Sequence, residues 1–568
     1  MEGMTSSSSR LPDESAPVGA GVAFKNPKSG ISRRTVMTGA AWTVPVLIAA
    51  GAAPAQAASQ CQNVGTIYNA HAYAKFLSGV LGYTNLDTIA SVVGVNADVV
   101  ATPQNPQEHY NVLAVNALQS INVDLTGTGS LVSGILSTVA PANTAALGQY
   151  AYANEIGGHT RGAAGLVSQG GQINFTQSSS VAELADLDLK KILENLVGGA
   201  AGGVVSNVAD LKLSIGAVAS KAEIDPTQCT TELNVLRQYL VSYIKLVVKS
   251  ALVGNLVSPL STILGGLQAT LDSTAVATAI KNALSGILGP VLGGLAGSVL
   301  GPLLNALVIK ITVQQSAVDA LLTQWFPAGT GKALQMKLDE GTAVVDLGPL
   351  LGHAYDANGN SLNGLAPNTR LFSGAELPTV SAAQLVDDWV DGLVDAILGL
   401  IDVEITANLT VPAVASVVLS IKGTVNQILT GASTSTIKLT NPLTGITILN
   451  VNLAPLVGPI GQAIKDIVKN LFGSSGPLQA ALSALNQLLA SIFDLLANVV
   501  AITLNAQNRL PGQPNGMPYT PLWNAGGYGN GGYEVAAIHL GLLNAPNVGL
   551  LNLFLARSGV GSNTPRTP

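Results

Sequence analysis

Charged residues make up only 10% of this 568-residue chain, aromatic residues only 4%, and there are just two cysteines. Each scarcity excludes a class of protein. A disordered acidic or basic chain carries more charge and fewer aliphatic residues. A disulfide scaffold needs many more cysteines. The 26 Lys and Arg stand against 32 Asp and Glu, a formal charge of −6 with no basic block in the body, which argues against nucleic acid as a partner. What is abundant is aliphatic residue and glycine: 48% of residues are hydrophobic, with 62 Gly and 28 Pro. The glycines keep no three-residue period, so collagen is excluded. The chain is globular, aliphatic, weakly acidic and long enough for several domains.

The first 57 residues read as an address. A Ser-, Pro- and Gly-rich leader precedes Ser32-Arg33-Arg34-Thr35-Val36-Met37, and an uncharged stretch then runs to Pro54-Ala55-Gln56-Ala57. A charged start, a short apolar core and a small-x-small site define a signal peptide. The Arg33-Arg34 pair specifies the twin-arginine route. Cleavage is expected between Ala57 and Ala58. A general-secretion signal and a retained N-terminal anchor are the alternatives. Gln60 is too large to precede a lipoprotein cysteine at Cys61. Removal of five basic residues (Arg10, Lys25, Lys28, Arg33, Arg34) and three acidic ones (Glu2, Asp13, Glu14) leaves 21 basic against 29 acidic residues, a charge of −8. Outside the cell, Cys61 and Cys229 are expected to form a disulfide. On the chain-entropy model that loop stabilises by about 4–5 kcal/mol, less any strain. Two separately buried thiols are the alternative.

The body repeats a theme: an aliphatic helical stretch followed by a short alternating strand. Leu284 to Leu307 leads into Ile309 to Val313, Ala382 to Leu400 into Val403 to Leu409, Leu478 to Val500 into Ile502 to Ala506, and, more weakly, Leu184 to Val208 into Leu211 to Ile215. Leu385, Trp389, Leu393 and Ile397 fall at helical spacing. Thr436 to Leu439 and Gly445 to Asn452 predict a hairpin about Asn441-Pro442-Leu443-Thr444, and Tyr533 to Leu540 with Val548 to Ala556 predict a closing strand pair. The architecture expected is α+β, antiparallel sheets packed with long aliphatic, Gly-rich helices. Residues 58–556 would form one surface domain, with possible subdivisions near 230 and 330, and 557–568 a short polar tail. Ser250 to Leu271 and Ala283 to Ile309 carry no charge. Gly293 and Gly297 have helix-contact spacing. Repeated Gly and Pro, with no basic flanks or aromatic belt, favour a buried or groove-packed helical hairpin over a membrane span.

No pattern specifies catalysis, a metal or a cofactor. The five histidines, His71, His109, His159, His353 and His539, are scattered, and neither H-E-x-x-H nor C-x-x-C occurs. Gly165 to Gly170 is one residue too long for a nucleophile elbow. Gly329-Thr330-Gly331-Lys332-Ala333 lacks both the first glycine and the closing hydroxyl of a phosphate loop. Tyr355 to Asn360 opens like a calcium loop, but Ser361 and Pro367 stand where Gly and Glu are required, so a turn is expected. Asp388, Asp391 and Asp395 share one helical face with Asp387 nearby, which reads as a solvated face and not as a glycosidase pair. Arg161, in His159-Thr160-Arg161-Gly162, is expected to pin a turn; a contact to a carboxylate or glycan is the alternative.

One ordered set of motifs resembles a known family. It comprises Ala74 to Gly79 with Leu86 to Ala90, Thr160 to Gly165, Ala209 to Leu213 with Gly216 to Ser220, Leu362 to Thr369, and Tyr533 to Ile538. Behind an export signal, this order resembles the choice-of-anchor G family of actinobacterial surface proteins over about residues 65–556. The resemblance implies an exported surface protein and transfers no catalytic residue. The sequence departs from the family in its tail, where no sorting signal, apolar span or basic cluster is recognisable. The expected function is a noncatalytic structural or adhesive part of the cell envelope, partnered by envelope components or by itself. A secreted hydrolase with a dispersed site and a carrier of an apolar ligand are the alternatives.

Overall fold

Small residues set the tightest packing in the molecule. Strand β3 (Thr160–Gly165) reads Thr-Arg-Gly-Ala-Ala-Gly, and a Cβ added to Gly162 would lie 2.3 Å from the Tyr73 carbonyl oxygen and 2.8 Å from that of Gly559. Only glycine allows that approach. The computed structural model describes residues 66–566 apart from 90–92, 101–105, 114–120, 138–146, 177–184, 198–201, 227–234, 475, 510–531, 544–547 and 562.

Two antiparallel sheets meet at this contact. In the first, Thr369–Arg370, β11 (Val500–Gln507), β12 (Gly532–Leu542), β13 (Leu551–Gly561) and β1 (Tyr68–Leu81) lie side by side. Thr84–Asn85, Val95–Val99 and Thr564–Pro565 also pair with β1. In the second the order is β5 (Leu236–Val241), β4 (Val218–Ile224), β3, β2 (Leu147–Ala153) and Gln107–Leu113. β3 and β4 pack face to face on β1 and β13. Ser220 and Ser558 hydroxyls meet across the interface at 2.8 Å. Ala556 adopts φ +48°, and the β1–β13 register passes from Lys75–Arg557 to Leu77–Leu555. The Phe76 N–H that the ladder skips donates instead to Gln149 Oε1 at 2.9 Å, from the facing sheet.

A third sheet holds Leu334–Lys337, Thr342–Asp346, Ile244–Lys249, Asp210–Ile215, Ala185–Asp188 and Leu136–Ser137 in that order. A fourth holds β6 (Val308–Val313), β7 (Ile401–Val411), β8 (Ala415–Thr424), β9 (Thr434–Thr440) and β10 (Thr447–Asn452), consecutive neighbours throughout. Asn122–Asp124 pairs separately with Leu131–Ser133. The expected α+β architecture of antiparallel sheets and long aliphatic helices is what the structure shows.

The long helices are α1 (Val257–Leu271), α2 (Thr274–Leu292), α3 (Ala296–Asn305), α4 (Ala382–Leu398), α5 (Gly458–Ser474) and α6 (Gly476–Asn498). Ser381 caps α4 through the Gln384 N–H, and Leu385, Trp389, Leu393 and Ile397 form its buried stripe, as the spacing predicts. α1 packs on β6 and α3 on β7; α5 joins α2 to α4, and α6 leads into β11. α2 is amphipathic by size: Val276, Ile280, Leu284, Leu288 and Leu292 are buried at four-residue steps, while Ala275, Thr278, Asn282, Gly286 and Pro290 face outward. The segments Ala251–Leu271, Thr274–Asn305 and Gly476–Asn498 are long and apolar enough to cross a membrane.

Several expectations need correction. The 250–309 helices are not a buried hairpin: each lays one stripe of large side chains on the body and shows small residues on its outer face. Gly293 and Gly297 bring no neighbouring helix close, since open space surrounds the Cβ position of each. The stretch from Leu284 is the end of α2, a 3-10 turn at Gly293–Leu295, and α3. Leu184 to Val208 is not one helix. Ala185–Asp188 pairs as a strand with Asp210–Ile215, because its alternation places Ala185 and Leu187 inward. β13 begins at Leu551, after a 3-10 turn at Val548–Leu550. The expected tail from 557 is largely built into the first sheet: Ser558 and Arg557 pair with Ala74 and Lys75, Thr564 with Asn69, and Arg566 Nη1 bonds Glu155 Oε2 at 3.0 Å.

Candidate interaction surface

The ionisable groups that converge inside the fold hold the fold. Arg161 on β3 donates to Glu223 on β4 through Nε at 2.8 Å and through Nη2, and to the Gly170 carbonyl at 2.9 Å. His159 Nε2 lies 3.2 Å from Glu223 Oε1, and Lys221 Nζ 2.7 Å from Glu223 Oε2. Burial alone would raise the Glu223 carboxyl; hydrogen bonds from His159, Arg161 and Lys221, with the charge of Lys221, hold it well below the usual range. Arg161 therefore contacts a carboxylate within its own chain and ties the 168–172 turn to the sheet. On the first sheet, buried Arg557 donates to buried Glu534 at 2.7 Å.

The remaining sequence candidates stay apart. His71 pairs with Asp98 at 2.9 Å, His353 with Glu376 at 2.6 Å, and His539 with Asn552 at 2.8 Å; His109 is exposed. Burial pushes the His539 imidazole down to about 4, with the Asn552 hydrogen bond opposing and the charge of Arg557 adding to the shift. Among the described residues no three His, Cys, Asp or Glu side chains group to hold a metal. Asp356 Oδ1 accepts from the Asn358 and Asn360 N–H groups at 2.8 and 2.9 Å, which folds 355–360 as a turn. Asp391 and Asp395 are exposed on α4 and pair with Lys469 and Lys465 of α5, each at 2.8 Å. Arg33, Arg34, Ala57, Ala58, Cys61 and Cys229 lie outside the described residues.

The motif loop Leu362 to Thr369 has a structural task. Tyr239 Oη donates to the Leu362 carbonyl at 3.0 Å and accepts from the Leu365 N–H at 2.7 Å, while Asn363 Oδ1 accepts from the Val241 N–H at 2.7 Å. On the other side Asn368 exchanges two hydrogen bonds with the Gln507 backbone, at 2.7 and 3.1 Å. The loop bridges β5 and β11.

What stays open is one face of the fourth sheet. Val403, Ile405, Val417, Leu419, Ile421, Ile437 and Leu439 point inward and are buried. The alternate residues form cross-strand rows on the outer face: Val308, Thr406, Ser420, Thr436 and Asn452 in one; Lys310, Glu404, Lys422 and Thr434 in the next. Lys422 Nζ bonds Glu404 at 2.7 Å. The rows repeat at the strand spacing of about 4.8 Å and, along each strand, at about 7 Å. They present hydroxyl, amide and charged groups and the aliphatic Val308, and no aromatic ring. At the Thr440 end, the hairpin between β9 and β10 raises Leu443 and Ile446 into solvent, 85% and 66% exposed. The sequence locates this hairpin. It does not show that the aliphatic residues in its turn point away from the body, although apolar residues at turn positions are the available signal.

The family model described as Domain of unknown function (DUF8394) matches residues 72–561. The chain belongs to this family. Its match covers the strands of both facing sheets except the first residues of β1 and the short Thr564–Pro565 strand. No curated protein and no solved structure matches the chain.

Proposed function

We propose that this is an exported, noncatalytic protein that serves the cell envelope as a structural or adhesive component. One observation carries the reading. The described ionisable clusters are consumed in holding strands, helices and loops to one another, while the open face of the fourth sheet offers an ordered row of mainly hydroxyl and amide groups beside a row whose charged members include the Lys422–Glu404 pair. Such a face binds through many weak contacts and has no group poised for proton transfer. The same reading includes export by the twin-arginine route through Arg33 and Arg34, cleavage between Ala57 and Ala58, a Cys61–Cys229 disulfide, and no membrane-spanning segment in the mature chain. The one-sided burial of α1 and α2 and the proline and glycines on the outer face of α2 support the last point. The likeness to choice-of-anchor G proteins supports the surface location. The carrier alternative asks for an apolar cavity among residues 250–309. A cleft lined by Gly203, Val204, Ser491, Asp494, Leu495 and Val499 lies outside that stretch.

Fractionation of producing cells tests the reading. The expected result is mature protein, beginning at Ala58, recovered with the wall and released by a chaotrope. Recovery solely in the medium, as a monomer that does not rebind isolated walls, overturns it.

A further inference from the structure

The geometry points to a second contact: we propose that the β9–β10 hairpin tip enters the neutral surface of a lipid layer, to the depth of the headgroup–acyl boundary. This proposal is independent of the envelope reading, since it concerns a property of the isolated protein.

Three observations carry it. Leu443 and Ile446, three residues apart on one turn, are the two most exposed large apolar side chains among the described residues, and Ile448 beside them is 50% exposed. The pairings Val411–Ala415, Ser416–Thr440 and Thr440–Thr447 place the β7–β8 turn, with Pro412 and Ala413 exposed, at the same end of the sheet. Two apolar tips therefore project together.

The second observation is the backbone. Pro442 has no N–H. The Asn441 N–H donates to the Ile446 carbonyl at 2.8 Å, and the Gly445 N–H to the Asn441 carbonyl at 2.8 Å. The Leu443 and Thr444 N–H groups donate to Asn441 Oδ1 at 2.9 and 3.2 Å, and the Ile446 N–H to Thr444 Oγ1 at 3.4 Å. Every backbone N–H from 441 to 446 is thus satisfied within the turn. Unpaired donors and acceptors both bar a loop from an apolar phase; here the donors are paired, and insertion only to the headgroup boundary leaves the turn carbonyls within reach of water. A turn that keeps its own donors paired also offers none to a partner strand, which favours lipid over β-strand addition by a protein.

The third observation is charge. No charged residue lies between Lys438 and Lys465, nor between Glu404 and Lys422. A net charge of −6 over the chain opposes recruitment by an anionic surface. The tip fits an electrically neutral layer and binds by aliphatic insertion, reversibly, since three side chains provide no more apolar area than a single short acyl anchor.

The test is flotation of the full protein with phosphatidylcholine vesicles at low and high salt. The expected result is that the protein floats, that raised salt does not release it, and that anionic lipid does not strengthen binding. The double variant Leu443→Asn, Ile446→Asn should float about ten-fold less or worse, with its thermal unfolding unchanged because both side chains stand in solvent. Wild-type protein that stays in the dense fraction overturns the proposal, and so does a double variant that floats as well as wild type, which would move the contact to the apolar helices. Sedimentation that shows a dimer dissolved by the double variant, with vesicles ignored, also overturns it and assigns the tip to self-association.

Discussion

At the scale of single residues, electrostatics here is structural and its pH dependence has a definite sign. Glu223 neutralises Arg161 and Lys221 in a largely dry site, so Glu223→Gln strands two cations. The expected loss is about 3–5 kcal/mol, read as a lower midpoint in urea. Because the folded carboxyl is held below its unfolded value, the stability it contributes is present above the unfolded value of about 4.3 and is lost as pH falls below it. The variant should therefore lack part of the wild-type acid limb. His539 acts in a different window. Its folded imidazole is pushed down to about 4 by burial, so the unfolded chain binds the extra proton first. Stability is full above about 6.5 and falls between there and about 4, by about 3 kcal/mol in total. A His539→Asn variant should show a flatter unfolding temperature between pH 6.5 and 4.5; a slope equal to that of wild type would show that another group sets it. Neither residue was legible as a pair partner in the sequence. Arg161 and Glu223 lie far apart in the chain and meet only because β3 and β4 pair in the register Arg161–Glu223.

At the scale of elements, periodicity was a good guide wherever an element buries one face. The stripe of α4, the alternation of β7 and β9 and the β9–β10 turn all follow from where large aliphatic residues recur. Periodicity was a poor guide where size, and not polarity, divides the faces. The outer side of α2 is small and uncharged, so its sequence reads as buried while its structure is half in solvent. The loop from Leu362 to Thr369 was legible as a motif but not as a bridge between sheets, because the hydroxyl that anchors it belongs to Tyr239 on a distant strand. Loss of that hydroxyl in Tyr239→Phe leaves the Leu365 N–H and the Leu362 carbonyl without it. The expected cost is about 1–3 kcal/mol, with faster proteolytic cleavage within 362–370 than elsewhere. Uniform protection in the variant would show that the remaining contacts, Asn363 to Val241 and Asn368 to Gln507 among them, hold the loop without the hydroxyl.

At the scale of the whole molecule, the decisive contacts join the two ends of the described chain. β1 is paired along most of its length by β13, and the sheet facing them approaches through Gly162 and Gly559. None of this shows in local sequence, since pairing between such distant segments leaves no periodic trace; only the small residues of β3, β4 and β13 hint that backbones come close. The fold is therefore a closure in which long-range pairing must form before the facing sheet can pack, a topology that folds slowly. Two truncations separate the closing strand from the residues beyond it. Ending the chain after Asn563 removes the Thr564–Asn69 pairing and the Arg566 contacts to Asn69 and Glu155; the protein should fold, with stability lowered by about 1–3 kcal/mol. Ending it after Leu550 removes β13, uncovers the facing edges of β1 and β12, and leaves Glu534 without Arg557. That chain should not yield a cooperative unfolding transition and should aggregate through the exposed edges. A cooperative, monomeric product from the shorter chain would show that the second, third and fourth sheets fold without the closure, and that β13 is a late addition to a body already formed.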